Sequence, residues 1–590
     1  MIAPCFGAAL AFAALCVRAD QSFVARVYYG RDVTELTNVV SHYDVHEYNN
    51  FDEHYILVTV NSGIFESLRA KGFQVEYDGE RTTALEAPDV VFRPGIAAPR
   101  RRVPFSFYGV YKTVDEIYAD LHATTAQFPA IAQLIDYGDA YCKTQGGCVT
   151  PGGDTQTVYD LLAVKVTNRA INQRKPVLFV MAGIHAREIT TPEIALRFLQ
   201  WLVGNYGIDP EATWLVDWNE IWIVPTANPE GHWLVELGDA TAPGYQPYSQ
   251  RKNAHQSSCL TWPPKEWSQY GVDLNRNHSY MWNNGGSSGL VCDPTYRGPS
   301  AASEPETAAL QQLLSDAFTG TCTTNGWLCS VTNGIFISIH SYGRLVIWPW
   351  GYTQSSALHG RGLEAIGTRL ASFNGYVAKQ AVKLYPTSGD SCDFVYGTLG
   401  KPAYTFELGN QFIPDYSEID FKQWPRNKPA LIHAAKLAAA PYDTVYGPDV
   451  TELDVSYLSN GNALVTGVVD DSTTGGVDLH AAELYLGMPP WIEGATGMPM
   501  VAVDGTFDSV IETVQVEVAM ADLPLSNLVV LARAQDDGGT WGPPTGAFLD
   551  AVPEPGWAMI VLLVLVGAWI RPLPASRSEY VAATRRNEAS

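Results

Sequence analysis

From residue 108 to about residue 440 the sequence alternates short apolar strands with helical stretches, and that alternation admits few architectures. Strands joined through helices build a mostly parallel sheet with the helices packed on its faces. The apolar runs at 177–181, 220–224, 334–339 and 403–408 supply strands, and Thr191-Pro192 opens a helix that runs to Val203. The expected fold is therefore α/β, with a mixed, mostly parallel central sheet flanked by helices over residues 103–440. Open sheets of this kind bind ligands outside the carboxyl ends of their strands. Polar residues at those ends are where function is sought.

The flanks follow other patterns. Residues 20–102 predict a small α/β unit followed by a linker. Within it, strands fall at 23–29, 55–60 and 73–77, with helices at 33–41 and 64–71, the second stopped by Gly72. A stretch rich in Ala, Pro and Arg ends in Arg100-Arg101-Arg102. That stretch reads either as a cleavage site between a prosegment and an enzyme, calling for an activating protease, or as a solvated basic turn. Over residues 446–550 short strands recur between Gly/Pro turns without helical periodicity, the pattern of a β-sandwich module.

The formal charge of −24 repels phosphate backbones, so no nucleic-acid partner is expected. Residues 1–19 are apolar and small and read as a signal peptide, too short to span a membrane comfortably. Nine cysteines become seven if Cys5 and Cys16 leave with that segment. Cys142/Cys148, Cys259/Cys292 and Cys322/Cys329 lie as local pairs, which suits an oxidising compartment, and Cys392 is left over. Residues 552–590 begin Val552-Pro553-Glu554-Pro555, continue through an uncharged run at 557–570, and reach Arg571. This order resembles the bacterial Pro-Glu-Pro sorting signal that exosortase-type enzymes cleave, with a tail longer than that family carries. It implies export to the bacterial surface or medium, with transient anchoring by the apolar segment.

His185 and Glu188 stand three apart in the loop after the 177–181 strand, where both side chains can face one ion. Such a pair alone is weak. His340, closing the 334–339 strand, supplies a third donor, and three protein ligands with an open fourth position define a hydrolytic zinc site. Glu407 sits near the end of the 403–408 strand among Tyr404, Phe406 and Leu408, where an acid is costly to bury without a purpose. A carboxylate that receives a proton from metal-activated water has such a purpose.

Taken together, these residues resemble the zinc metallocarboxypeptidase family of the carboxypeptidase A/B type, over about residues 105–440. The resemblance implies one Zn2+ per chain on His185, Glu188 and His340, with Asp273 orienting the first histidine. It assigns Glu407 and Arg251 to catalysis, and Asn275, Arg276, Tyr385 and Arg187 to substrate binding. Cys259 and Cys292 flank the Asn275-Arg276 motif as a disulfide does in animal members. The run from Leu384 to Asp393 is closest to the bacterial carboxypeptidase T type, and it puts Cys392 at the pocket floor with Asp390 two residues earlier. The expected substrates are C-termini of peptides or proteins, met by a monomer. The alternatives are a cell-wall peptide-trimming or deacylating relative of the same fold, and a catalytically silent binding protein.

Overall fold

The computed structural model describes residues 21–30, 33–83, 110–239, 246–319, 333–520, 523 and 528–549. The signal segment, the Arg100–Arg102 linker, the Cys322/Cys329 pair and the C-terminal sorting segment lie outside the described residues. Among the described residues no helix is long and apolar enough to cross a membrane.

The N-terminal unit is a four-stranded antiparallel sheet in the order β2-β3-β1-β4, from β1 (Phe23–Tyr28), β2 (Asp44–Asn50), β3 (Tyr55–Val60) and β4 (Gln74–Tyr77). Helices Val33–His42 and Ser62–Ala70 accompany it, and Asn61 caps the second by accepting from the Ile64 amide. The sequence reading missed β2.

The central domain carries eight strands: β5 (Ala132–Asp139), β6 (Asp160–Val166), β7 (Val177–Ala182), β8 (Glu220–Val224), β9 (Ile335–Ser341), β10 (Leu345–Trp348), β11 (Val377–Gln380) and β12 (Ala403–Leu408). Their order is β11-β10-β12-β9-β7-β8-β6-β5. The middle strands β12, β9, β7 and β8 run parallel, while β5, β6 and β10 introduce antiparallel pairings. Every residue of β7 and β9 is buried, as expected of strands covered on both faces. Helix Thr190–Gly204 begins one residue before the expected start, and Thr191 is not its cap. The Thr191 hydroxyl instead donates to the Glu188 carbonyl and accepts from the Gly183 amide.

The C-terminal module is antiparallel throughout. Its seven strands form one hydrogen-bonded order with β13 (Asp449–Tyr457) and β19 (Thr545–Leu549) at the edges. The sheet rolls until those edges meet, and Thr545 Oγ1 donates to Val450 O at 2.6 Å. Near-closure hides two strand edges that would otherwise be open to pairing. Tyr485, Ile492, Val529 and Leu531 of this module belong to the hydrophobic core of the central domain.

Candidate metal centre and substrate cleft

β7 ends at Ala182, and Gly183 turns the chain with a φ of +64°. A Cβ there would lie 3.0 Å from Thr226 Cα, so glycine suits both the turn and the close approach. This turn delivers His185 and Glu188 to the carboxyl edge of the sheet. β9 delivers His340 as its penultimate residue, one position inside the strand rather than just after it. Parallel pairing sets His340 directly beside Glu407 of β12.

His185, Glu188 and His340 are buried, and their ligand atoms fall within 4.8 Å of one another. Glu188 Oε1 lies 2.8 Å from His185 Nδ1, and Glu188 Oε2 lies 3.2 Å from His340 Nδ1. The two Nδ1 atoms are themselves 3.2 Å apart. Two N–H groups pointed at each other would repel at that distance, so at least one ring turns a lone pair inward. An anion and inward lone pairs converging in a buried space form the donor set of a divalent cation, and two imidazoles with one carboxylate suit zinc. Burial disfavours the charged form of Glu188, yet the adjacent His185 and His340 outweigh it and hold its carboxyl below the usual range.

Around this cluster the expected residues are gathered in linked layers. Asp273 is fully buried, with Oδ1 3.3 Å from His185 Nε2 and Oδ2 accepting from Arg251 Nε at 3.0 Å. Burial opposes its ionisation, but Arg251, His185 and Arg276 hold it well below the carboxylate range. Asp273 also caps the short turn Leu274–Arg276 by accepting from the Asn275 amide. One carboxylate thus fixes a ligand histidine, Arg251 and the Asn275-Arg276 turn. Arg276 is aimed by donating to Gly286 O and Asn275 O, and Asn275 Oδ1 accepts from the Ser391 amide.

A cavity opens beside the metal cluster, lined by His185, His340, Arg251, Asn275, Arg276, Tyr385, Asp390, Cys392 and Glu407 among others. Nine of the twelve residues expected at the site therefore line one space, with Glu188 and Asp273 directly behind it. Thr387, Thr405 and Asp393 join the lining and were not expected from the sequence. At the floor, Asp390 Oδ1 caps helix Ser391–Leu399 through the Asp393 amide, and Oδ2 accepts from Thr387 Oγ1 at 3.1 Å. Burial raises the Asp390 carboxyl and pushes the Cys392 thiol well up, so Cys392 stands as a neutral SH 3.2 Å from Thr405 Oγ1.

Arg187 is the exception. Its guanidinium forms a two-point ion pair with Asp44 of β2, at 2.6 and 2.9 Å, and stacks over Phe412. Both partners are buried, and Arg187 does not line the cavity. The N-terminal unit also claims Tyr385, whose ring packs into that unit's core with Leu345, Ile347 and Leu384. Asn49 of β2 donates to Leu384 O at 2.7 Å, close to the cleft. Nothing local to Arg187 announced its partner, which lies 143 residues away in the chain. Disulfides Cys142–Cys148 and Cys259–Cys292 form as expected, and Cys392 is free.

Fold and site together define a metallopeptidase. The zinc carboxypeptidase family profile matches residues 148–425. A zinc carboxypeptidase of Saccharothrix mutabilis subsp. capreolus is 29% identical over 349 residues, covering 58% of this chain and 71% of that protein. Zinc carboxypeptidase A 1 of Drosophila melanogaster is 30% identical over 328 residues, covering 51% and 67% respectively. The fold is also that of the carboxypeptidase A structure from Helicoverpa armigera, with a TM-score of 0.51 at 20% identity, covering 72% of this chain and 98% of that one. The chain belongs to the zinc carboxypeptidase family and is a zinc-dependent metallocarboxypeptidase.

Proposed function

We propose that the protein is an exported carboxypeptidase that removes single residues from peptide C-termini, held inactive by its N-terminal unit. The observation that carries the catalytic reading is the convergence of Glu407, Arg251 and Arg276 on one cavity beside the His185–Glu188–His340 cluster. Arg276 and Asn275 take the terminal carboxylate, a planar anion that a guanidinium fork matches in two bonds. Arg251, braced through its Nε by Asp273, turns its remaining N–H groups to the oxygen on which charge develops. A zinc ion on the three donors would supply Lewis-acid polarisation of the scissile carbonyl and a lowered pKa for water. Glu407 accepts the proton of the attacking water and hands it to the leaving amine. Tyr385 covers the bound residue once it is released from the N-terminal core.

Inhibition follows from the same contacts. While β2 is docked, Asp44 occupies Arg187 and the N-terminal core holds Tyr385. Cutting the linker near Arg100–Arg102 would free both.

The decisive experiment is Glu407→Gln on protein freed of its N-terminal unit. Turnover of hippuryl-Phe falls by about 10²–10⁴-fold while bound zinc stays at one per chain. Near-normal turnover would move the base elsewhere.

A further inference from the structure

His340 is held from two sides, and the metal cluster accounts for one of them. Its Nδ1 faces Glu188 Oε2 at 3.2 Å, while its Nε2 lies 2.9 Å from Ser338 Oγ. Ser338 is fully buried two residues earlier on β9, so strand alternation puts both side chains on one face of the sheet. A neutral imidazole carries one proton. For Nδ1 to present a lone pair, that proton must sit on Nε2, and an N–H buried there needs an acceptor within reach. The only hydrogen-bonding atom that the structure brings to His340 Nε2 among the described residues is the Ser338 hydroxyl. His185 is backed differently, by the anionic Asp273 at 3.3 Å. The two ligand histidines thus have unequal supports, a carboxylate behind one and a neutral hydroxyl behind the other.

We propose that Ser338 is a positioning residue that fixes the tautomer and ring angle of His340, by accepting its Nε2 proton so that Nδ1 is presented to the metal. The inference rests on the reading of His185, Glu188 and His340 as the zinc ligands. Partners behind metal-bound histidines are worth 10–100-fold in metal affinity, and their loss leaves the ligands in place but mis-set. The hydroxyl also extends a polar stripe across the two strands. Ser338 is in register with Thr405 of β12, whose own hydroxyl reaches Cys392 at the floor of the substrate cavity.

The test uses the full chain with Ser338 replaced by Ala, Val and Thr. Val and Thr share a shape and differ in the hydroxyl, so they separate hydrogen bonding from packing. Zinc affinity is read by competition with a chromophoric chelator, and ligand-field symmetry by the visible spectrum of the Co(II)-loaded protein. Ser338→Ala and Ser338→Val weaken zinc by about 10–100-fold and shift the Co(II) bands, while Ser338→Thr stays near the unaltered protein. Equal behaviour of Val and Thr, or unchanged affinity in Ala, overturns the proposal. His340→Ala run alongside keeps the two readings apart. If it binds zinc undiminished, the ligand assignment itself fails, whatever Ser338 does.

Discussion

Asp390 illustrates how one side chain can cap a helix and line a cavity at once. One of its oxygens caps Ser391–Leu399 and the other meets Thr387, yet the carboxyl still lines the cavity next to uncharged Cys392. The walls nearby are apolar, with Ile347, Trp348 and Leu384. We propose that such a pocket accepts large apolar C-terminal residues and offers a buried carboxylate to a Lys or Arg that reaches the floor. Asn is an equally good N-cap, so Asp390→Asn removes the charge without unseating the helix. On protein freed of its N-terminal unit, the kcat/KM ratio of hippuryl-Arg to hippuryl-Phe should fall about 10-fold or more in that variant. Substantial Arg turnover with an unchanged ratio removes Asp390 as the selector. At this scale much of the site was legible, because His185, Glu188, His340 and Glu407 sit at or just beyond strand ends, and Asn275 and Arg276 form a short motif in the turn Leu274–Arg276. Arg187 was only half legible. Its motif was plain, but its partner Asp44 is brought to it by tertiary docking, which local spacing does not encode.

Elements were read well where burial was one-sided or complete, and poorly where partners replaced the apolar pattern. β3, β8 and β12 match their expected limits because their side chains alone specify a covered strand. β2 was missed because Asp44, His46 and Asn49 give it the composition of a loop. Those residues are satisfied across an interface, by Arg187, Tyr342 and Leu384. The loop before helix Ser391–Leu399 shows the reverse, a local requirement that sequence does state. Gly389 has φ of +73°, and a Cβ there would lie 2.4 Å from the carbonyl oxygen of Arg276. Its own carbonyl accepts from the His278 amide at 2.9 Å, tying the pocket floor to the chain just after the Asn275-Arg276 turn. Gly389→Ala must therefore push Arg276 or the floor aside. The expected result is a loss of about 1–3 kcal/mol in stability and a raised KM for hippuryl-Phe in the freed enzyme. A melting temperature and KM both equal to the parent's would show that the turn yields without cost.

At the scale of the whole molecule, the contact between the N-terminal unit and the central domain contains a group that titrates. His46 of β2 is 1% exposed, with Nε2 2.7 Å from Thr59 Oγ1 and Nδ1 against the Tyr342 hydroxyl. The charged groups facing it are Asp44 on its own strand, Asp78 and Arg81 beyond β4, and Arg187 from the central domain. Burial is the main cause that pushes its pKa down to about 4 from 6.5, with Arg187 and Arg81 adding to the effect against Asp44 and Asp78. The docked form therefore prefers a neutral imidazole, whereas an undocked, hydrated His46 protonates near 6.5. The resulting stabilisation of docking is complete above pH 6.5 and is lost as pH falls from 6.5 towards 4, on the order of tenfold per pH unit. Acid should thus loosen the N-terminal unit, releasing Tyr385 and Arg187. Limited trypsin digestion of the intact chain at pH 7.0, after brief incubation between pH 7.5 and 4.5, would detect slow re-docking. Binding of the separately produced N-terminal unit to the freed enzyme across that range measures the equilibrium directly. Affinity should drop by about 20-fold between pH 7 and 5 in the parent and much less in His46→Gln, which keeps hydrogen-bonding groups but cannot take up the proton. A parent and a His46→Gln variant with the same pH slope would assign the acid response to other groups.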